Sequence, residues 1–143
     1  MSSKNRVATL QIIISAHSSL SSSPKLTDIL GELNRVTAAA KVPKHNGWLL
    51  GLLHTTRALD TTLREVVKDK GWLSPKYQSL GGYLNALQNN QIISPSECSQ
   101  WRQSIVDRRN KYMHSAGAMP TQLETDAILS EMQACVAVVL AKT

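Results

Sequence analysis

Residues 107–115, which read DRRNKYMHS, hold most of the side chains that could carry out a reaction. An imidazole transfers protons near neutral pH without a large shift of its pKa. A guanidinium stays charged and holds phosphate oxygens through two parallel hydrogen bonds. Arg109 and His114 together therefore suffice to cleave an RNA phosphodiester without a metal ion. The histidine would move the 2′-hydroxyl proton, and the arginine would stabilise the charge that develops on the phosphate oxygens.

The spacing of these two residues limits how they meet. On a straight α-helix, residues five apart are separated by about 140° around the axis, so Arg109 and His114 do not share a face. They converge if the helix ends or bends near Tyr112, or if a second chain completes the site, since a symmetric pair brings two copies of the segment together. The alternative interpretation is structural: Arg109 complements the helix dipole and His114 caps the helix.

The run from Arg109 through Asn110 to His114 resembles the Arg-x4–6-His motif of HEPN domains, a family of helical bundles. In that family the residue after the arginine is typically Asn, Asp or His, and Asn110 fits this pattern. Arg108 also satisfies the spacing, but Arg109 is the better match because Asn110 follows it. The resemblance extends through the helix pattern of residues 48–140, whereas residues 1–47 do not align with the family.

The resemblance implies a metal-independent endoribonuclease that works as a homodimer without a cofactor and leaves a 2′,3′-cyclic phosphate. Such proteins are commonly toxins or defence effectors, so a cognate antitoxin protein is an expected partner beside RNA. The implied catalytic residues are Arg109, Asn110 and His114. The implied RNA-binding residues are Arg108, Lys111 and Tyr112, although Tyr112 could simply pack. The alternative function is a non-catalytic HEPN-like module that binds RNA, a nucleotide or a protein partner.

Composition agrees with a soluble protein that binds a polyanion. The net charge is +6, and residues 1–111 carry 15 Lys and Arg against 7 Asp and Glu. A basic body suits RNA, although it also serves solubility alone. The longest apolar run, residues 136–141, is far shorter than the roughly 20 residues of a membrane span, and residues 12–14 are too short for a secretory signal. We therefore expect a soluble, cytoplasmic protein with no membrane partner.

Cysteine and histidine spacing does not predict a metal site. The two cysteines and four histidines form no CxxC, HxxxH or HExxH pattern, so zinc is not expected. Cys98 and Cys135 are interpreted as buried thiols, with a disulfide left open. The other histidines, His17, His45 and His54, are isolated, and a structural role is expected for His54.

Apolar spacing is helical almost throughout and predicts an all-α antiparallel bundle of five or six helices in a single domain, residues 1–143. Polar, Ser-rich residues 18–24 and the breakers in residues 41–47 are predicted loops. The last helix is apolar on more than one face towards its end, which places it centrally or at a subunit interface. Asp60, Glu65 and Asp107 are expected to pair with nearby arginines. The first three predicted helices cover residues 5–18, 25–40 and 48–70. A fourth helix begins at Ser74 and Pro75, and a fifth begins at a capping box formed by Ser94 and Glu97. The last helix begins at a second capping box, Thr121 and Glu124, and runs to about Leu140.

Overall fold

The computed structural model describes residues 1–42 and 44–143, with the backbone alone at His45. Pro43, predicted to break a helix, and the side chain of His45 lie outside this description. Within it every regular element is helical, which confirms the all-α prediction. The elements are α1 (Ser3–Ala16), α2 (Ser18–Ser21), α3 (Leu26–Ala39), α4 (Lys44–Asp69), α5 (Leu80–Asn89), α6 (Pro95–Trp101), a π-helical segment (Arg102–Asp107), α7 (Arg108–His114) and α8 (Gln122–Lys142).

The long helix α4 is the centre of the molecule. It packs against α2, α3, α5, α7 and α8, while α1 packs against α3 and α8. The predicted stripe of apolar residues on α4 is buried, with Leu52, Leu59, Leu63 and Val66 fully inaccessible to solvent. A helix with apolar side chains on a wide face is stabilised mainly by this tertiary burial. α4 is therefore the rigid support for any site on its outer surface.

Helix α8 is part of the core. Both predicted capping boxes are present, so local signals placed the starts of α6 and α8 correctly. Val136 and Val139 near the end of α8 are completely buried within the chain. The sequence predicted that this helix lies either at the centre of the chain or at a subunit interface, and the structure shows it at the centre. Across the described ranges, no helix combines the length and apolar character needed to cross a membrane.

The serine-rich stretch at residues 18–24 is more ordered than predicted, because it contains the single turn α2. Its hydroxyl groups bind the carboxylates of α4. Ser19 Oγ donates to Asp69 Oδ2 at 2.6 Å, and Ser23 Oγ donates to Glu65 Oε1 at 2.7 Å. A loop prediction from composition misses contacts of this kind, which join residues far apart in sequence.

Two predicted helix starts are wrong. Helix α4 begins at Lys44 rather than near residue 48, and Gly47 permits this because a Cβ there would collide with the carbonyl oxygens of Ala39 and Val42. Helix α5 begins at Leu80 instead of at residues 74 and 75. In both cases a glycine close to the helix start allows tight packing against the preceding backbone.

The start of α5 is capped by Ser79, whose side chain accepts a hydrogen bond from the Gly82 amide. A Cβ at Gly82 would collide with the carbonyl oxygen of Tyr77. Tyr77, three residues before this helix, is 60% exposed. Because the helix begins at Leu80, Gly81 and Gly82 lie in its first turn.

The two cysteines are buried, free thiols. Burial raises the pKa of the Cys135 thiol well above its ordinary value. This confirms the interpretation of the cysteines as packed side chains.

Candidate functional site

The segment that contains Arg109 and His114 lies on α7, and three features fix its position. The capping box at Ser94 starts α6, the π-helical segment follows, and α7 continues to its end at His114. A π-helical turn is wider than an α-helical turn, so it changes the direction in which every later side chain points. No pattern in the sequence predicts this segment, which lies directly before Arg108 and Arg109.

Tyr112 anchors α7 to the start of α8. Its ring is buried, and its hydroxyl donates to Glu124 Oε2 at 2.5 Å. Burial and this hydrogen bond raise the pKa of Tyr112 to about 12, and the same hydrogen bond lowers the pKa of Glu124. Glu124 is also the acidic member of the second capping box. Of the two roles expected for Tyr112, packing is therefore the one that its surroundings favour, and this buried phenol is not placed to contact RNA.

Arg109 is directed from α7 towards α4. Its Nη1 lies 3.6 Å from Asp60 Oδ2, and its Nη2 donates to Asn110 Oδ1 at 3.3 Å. The Arg109 side chain is only 22% exposed, and its buried Nε has no hydrogen-bond partner among the described residues. A buried donor without a partner costs free energy, so this guanidinium is incompletely satisfied. Asn110 and Arg109, adjacent in sequence, are therefore also in direct contact.

Asp60 confirms the expectation that it pairs with an arginine. Burial raises the pKa of this carboxyl, while the positive charges of Arg109 and Arg64 oppose that shift. Glu65 also pairs as expected, with Arg64 Nη1 at 3.3 Å from its Oε2. For Asp107 no ion pair is found within residues 1–42 and 44–143.

A cleft of about 500 Å³ lies between α4 and α7, and we call it the Arg109 cleft. Polar groups on its α4 wall face Arg109, and apolar side chains flank them. Leu50 and Met113 are 43% and 54% exposed there. The lining residues are Leu50, Leu53, His54, Thr56, Arg57, Asp60, Thr61, Arg109 and Met113. This volume accommodates a nucleotide-sized ligand.

His114 is not brought to this cleft. It is exposed at the last position of α7, and no described residue forms a hydrogen bond or ion pair with it. Because α7 is α-helical through both positions, Arg109 and His114 remain separated by about 140° around the axis. The sequence allowed the helix to bend near Tyr112, but α7 has no bend there and continues to His114. One chain alone therefore does not place these two groups on one face.

The other residues of the motif lie on the surface or at its edge. Lys111 is exposed, and its Nζ lies 5.2 Å from the centroid of the Tyr112 ring. Arg108 is partly exposed. Both cations are accessible to a polyanion from the side of α7.

The sequence prediction missed a pair of residues that joins α3 to the Arg109 cleft. His54 Nδ1 lies 2.7 Å from Glu32 Oε2, and the side chains are 19% and 9% exposed. Glu32 Oε1 is also 3.0 Å from Arg57 Nη2 and 3.3 Å from Arg35 Nη1. His54 and Arg57 line the cleft. His54, expected to be structural, is therefore held by a buried carboxylate at the wall of the candidate site.

A signal for this pair was present in the sequence. Glu32 falls within the apolar stripe of α3, between Ile29 and Val36. A carboxylate on a buried helix face requires cationic or hydrogen-bonding partners. The sequence shows which cations lie close to Glu32 along the chain. The pairing of Glu32 with His54, in contrast, depends on how α3 packs against α4.

No group of three or more His, Cys, Asp or Glu in the described part of the chain could hold a metal ion. No protein-family model, curated protein or solved structure matches this chain. The functional assignment therefore depends on the residues of the motif and on the geometry of the cleft.

Proposed function

We propose that this chain is a metal-independent endoribonuclease of HEPN type that acts as a homodimer. The observation that carries the proposal is Arg109, a largely buried guanidinium that opens onto a cleft and retains an unpaired donor. Asn110 follows it in sequence and accepts one of its hydrogen bonds. These are the residue types and the order that the family motif requires.

The proposed reaction is an attack of the 2′-oxygen of RNA on the adjacent phosphorus. His114 takes the proton of the 2′-hydroxyl, the new P–O2′ bond forms, and the P–O5′ bond breaks. Arg109 stabilises the negative charge that develops on the non-bridging oxygens. The products are a 2′,3′-cyclic phosphate and a 5′-hydroxyl end.

The dimer is proposed because α7 is regular between Arg109 and His114. With no bend in the helix, the remaining way to unite the two groups is for His114 to come from a second copy. The exposed apolar side chains of Leu50 and Met113 flank the cleft. Apolar side chains at the edge of a polar cleft suit contact with another protein surface. A two-fold pair would contain two such sites.

The cellular role that we propose is that of a toxin or defence effector restrained by a cognate antitoxin. The support is the HEPN-like motif together with the +8 charge of residues 1–111, which favours binding to RNA. Inducible expression should arrest growth of the host cell, and the Arg109→Ala variant should relieve the arrest. Equal arrest by the variant would contradict an effector role for this site.

The direct test is RNA cleavage by purified protein in EDTA. We expect cleavage with 2′,3′-cyclic phosphate ends and its loss in Arg109→Ala and His114→Ala, both with unchanged circular dichroism. Lys142→Ala, an exposed cation on α8, is the matched control and should cleave normally. Cleavage that persists in both Arg109→Ala and His114→Ala would contradict the proposal.

A second candidate is a non-catalytic HEPN-like module that binds RNA, a nucleotide or a protein partner. The observation in its favour is that Asp60 forms an ion pair with Arg109 and that His114 lies outside the cleft. An electrophoretic shift of RNA with no cleavage would select it. Recovery of a protein partner without RNA would instead indicate an adaptor.

A further inference from the structure

We propose that His54 is a second catalytic histidine, which donates a proton to the 5′-oxygen that leaves during RNA cleavage, and that Glu32 positions it. This inference rests on the proposed function, which assigns a group to remove one proton but none to supply the other. Cleavage of a phosphodiester by a 2′-oxygen needs both transfers near neutral pH. His54 and Arg109 line the same cleft.

The position of the His54 ring is fixed by Glu32. Two guanidinium groups, those of Arg35 and Arg57, lie within 3.3 Å of Glu32 Oε1 and form ion pairs with this carboxylate. A carboxylate only accepts hydrogen bonds, so Nδ1 of His54 donates to it. Nε2 has no partner within the described ranges and is the nitrogen left to act on a ligand.

The hydrogen bond between His54 and Glu32 suits a histidine that acts as a general acid. A carboxylate bonded to one ring nitrogen orients the imidazole, so that its other nitrogen can pass a proton to a ligand. The neighbouring cations Arg57 and Arg109 favour binding of the phosphodiester beside the ring. A structural contact between helices would not require the histidine to line the cleft, whereas an acid must.

The complete step balances as follows. The 2′-hydroxyl proton passes to His114, the 2′-oxygen forms its bond to phosphorus, and the P–O5′ bond breaks with its electron pair on the 5′-oxygen. The proton on Nε2 of His54 passes to that oxygen. Exchange with water then restores both histidines to their starting protonation states.

The test compares two substrates that differ in the leaving group. One is a short RNA, whose 5′-oxygen must be protonated. The other is uridine 3′-(4-nitrophenyl phosphate), whose nitrophenolate leaves without a proton. The variant is His54→Asn, in which the amide nitrogen can replace Nδ1 as the donor to Glu32 but cannot transfer a proton. His17→Asn, on a histidine outside the cleft, is the matched control.

We expect His54→Asn to lower kcat on RNA about 100-fold or more and to cleave the aryl ester within a few-fold of wild type. His114→Ala should lose both activities, and His17→Asn should lose neither. Circular dichroism and the thermal midpoint check that each variant folds. A rate on RNA equal to wild type, or equal losses on both substrates, would overturn the acid assignment.

Glu32→Ala tests the positioning role through the division of its effect between kcat and KM. Without the carboxylate the ring of His54 is no longer held at the wall of the cleft, so kcat on RNA should fall while KM and the rate on the aryl ester stay within a few-fold of wild type. Glu32→Gln, whose amide oxygen can still accept from Nδ1, should keep more of the RNA activity than Glu32→Ala. A kcat on RNA equal to wild type in Glu32→Ala, or an equal fall on both substrates, would overturn the role of Glu32.

Failure of the inference and failure of the proposed function give different results. If wild-type protein cleaves RNA but His54→Asn is unaffected, only the role of His54 is refuted. If wild-type protein cleaves neither substrate, the proposed ribonuclease is refuted, and the assignment of His54 is refuted with it.

Discussion

The hydrogen bond between Tyr112 and Glu124 predicts a measurable loss of stability in Tyr112→Phe. The substitution keeps the buried ring and removes only the hydroxyl that joins α7 to the start of α8. A hydrogen bond to a charged group contributes about 1.5–3 kcal/mol. Glu124 is partly exposed and regains water when the hydroxyl is lost, so we expect about 1–2 kcal/mol, around the lower end of that range. This corresponds to a fall of about 3–6 °C in the thermal midpoint for a chain of this size.

The pH dependence gives this prediction a second signature. The hydrogen bond from Tyr112 lowers the pKa of Glu124 in the folded protein. A depressed carboxyl pKa contributes stability that is present above the unfolded value of about 4.3 and lost as pH falls through the folded value. The stability difference between wild type and Tyr112→Phe should therefore be full at pH 7 and shrink below about pH 4.

Urea denaturation followed by circular dichroism at pH 7 and at pH 3 measures both effects. Tyr77→Phe is the matched control, because Tyr77 is 60% exposed and its loss of a hydroxyl should change stability little. The reasoning is refuted if Tyr112→Phe is as stable as Tyr77→Phe at pH 7. It is also refuted if the difference stays constant over the pH range. RNA cleavage should survive in Tyr112→Phe, since the phenol is not placed to contact RNA.

Three further predictions concern the rest of the fold. Burial lowers the pKa of His17, whose Nδ1 accepts from the Ser19 amide, so the free energy of unfolding should fall as pH drops below about 6.5. His17→Asn should abolish that fall in urea denaturation. The same fall in the variant would contradict this role of His17. Ser94→Ala removes the cap that accepts from the Glu97 amide and should cost about 1 kcal/mol in the same assay, whereas no loss would show that the cap is not needed. Burial raises the pKa of Cys135, so its thiol should react with a disulfide reagent only after unfolding; fast labelling of folded protein would contradict this.

Local signals predicted most of the helices. The capping boxes at Ser94 and Thr121 combine a hydroxyl with a glutamate three residues later, and both are formed as expected. The errors occur where contacts between distant residues decide the outcome. Ser19 bonds to α4 and orders a predicted loop, and Gly47 and Gly82 pack against earlier backbone and set the helix starts.

The candidate site was predictable only in part. Asn110 meets Arg109 because adjacent residues in a helix remain close. The spacing also gave the separation of Arg109 from His114, but it could not say whether the helix bends, and the structure has no bend there. The link between Glu32 and His54 depends on the packing of α3 against α4, which periodicity alone does not fix.

The central claim is that Arg109 of one copy and His114 of another act on the same phosphodiester. Co-expression of Arg109→Ala and His114→Ala under two different affinity tags, followed by tandem purification, isolates the mixed dimer. One of its two sites then retains both groups, so it should cleave RNA with about half the wild-type specific activity, while each parent variant is inactive. A mixed dimer as inactive as its parents, beside active wild-type protein, would contradict the claim.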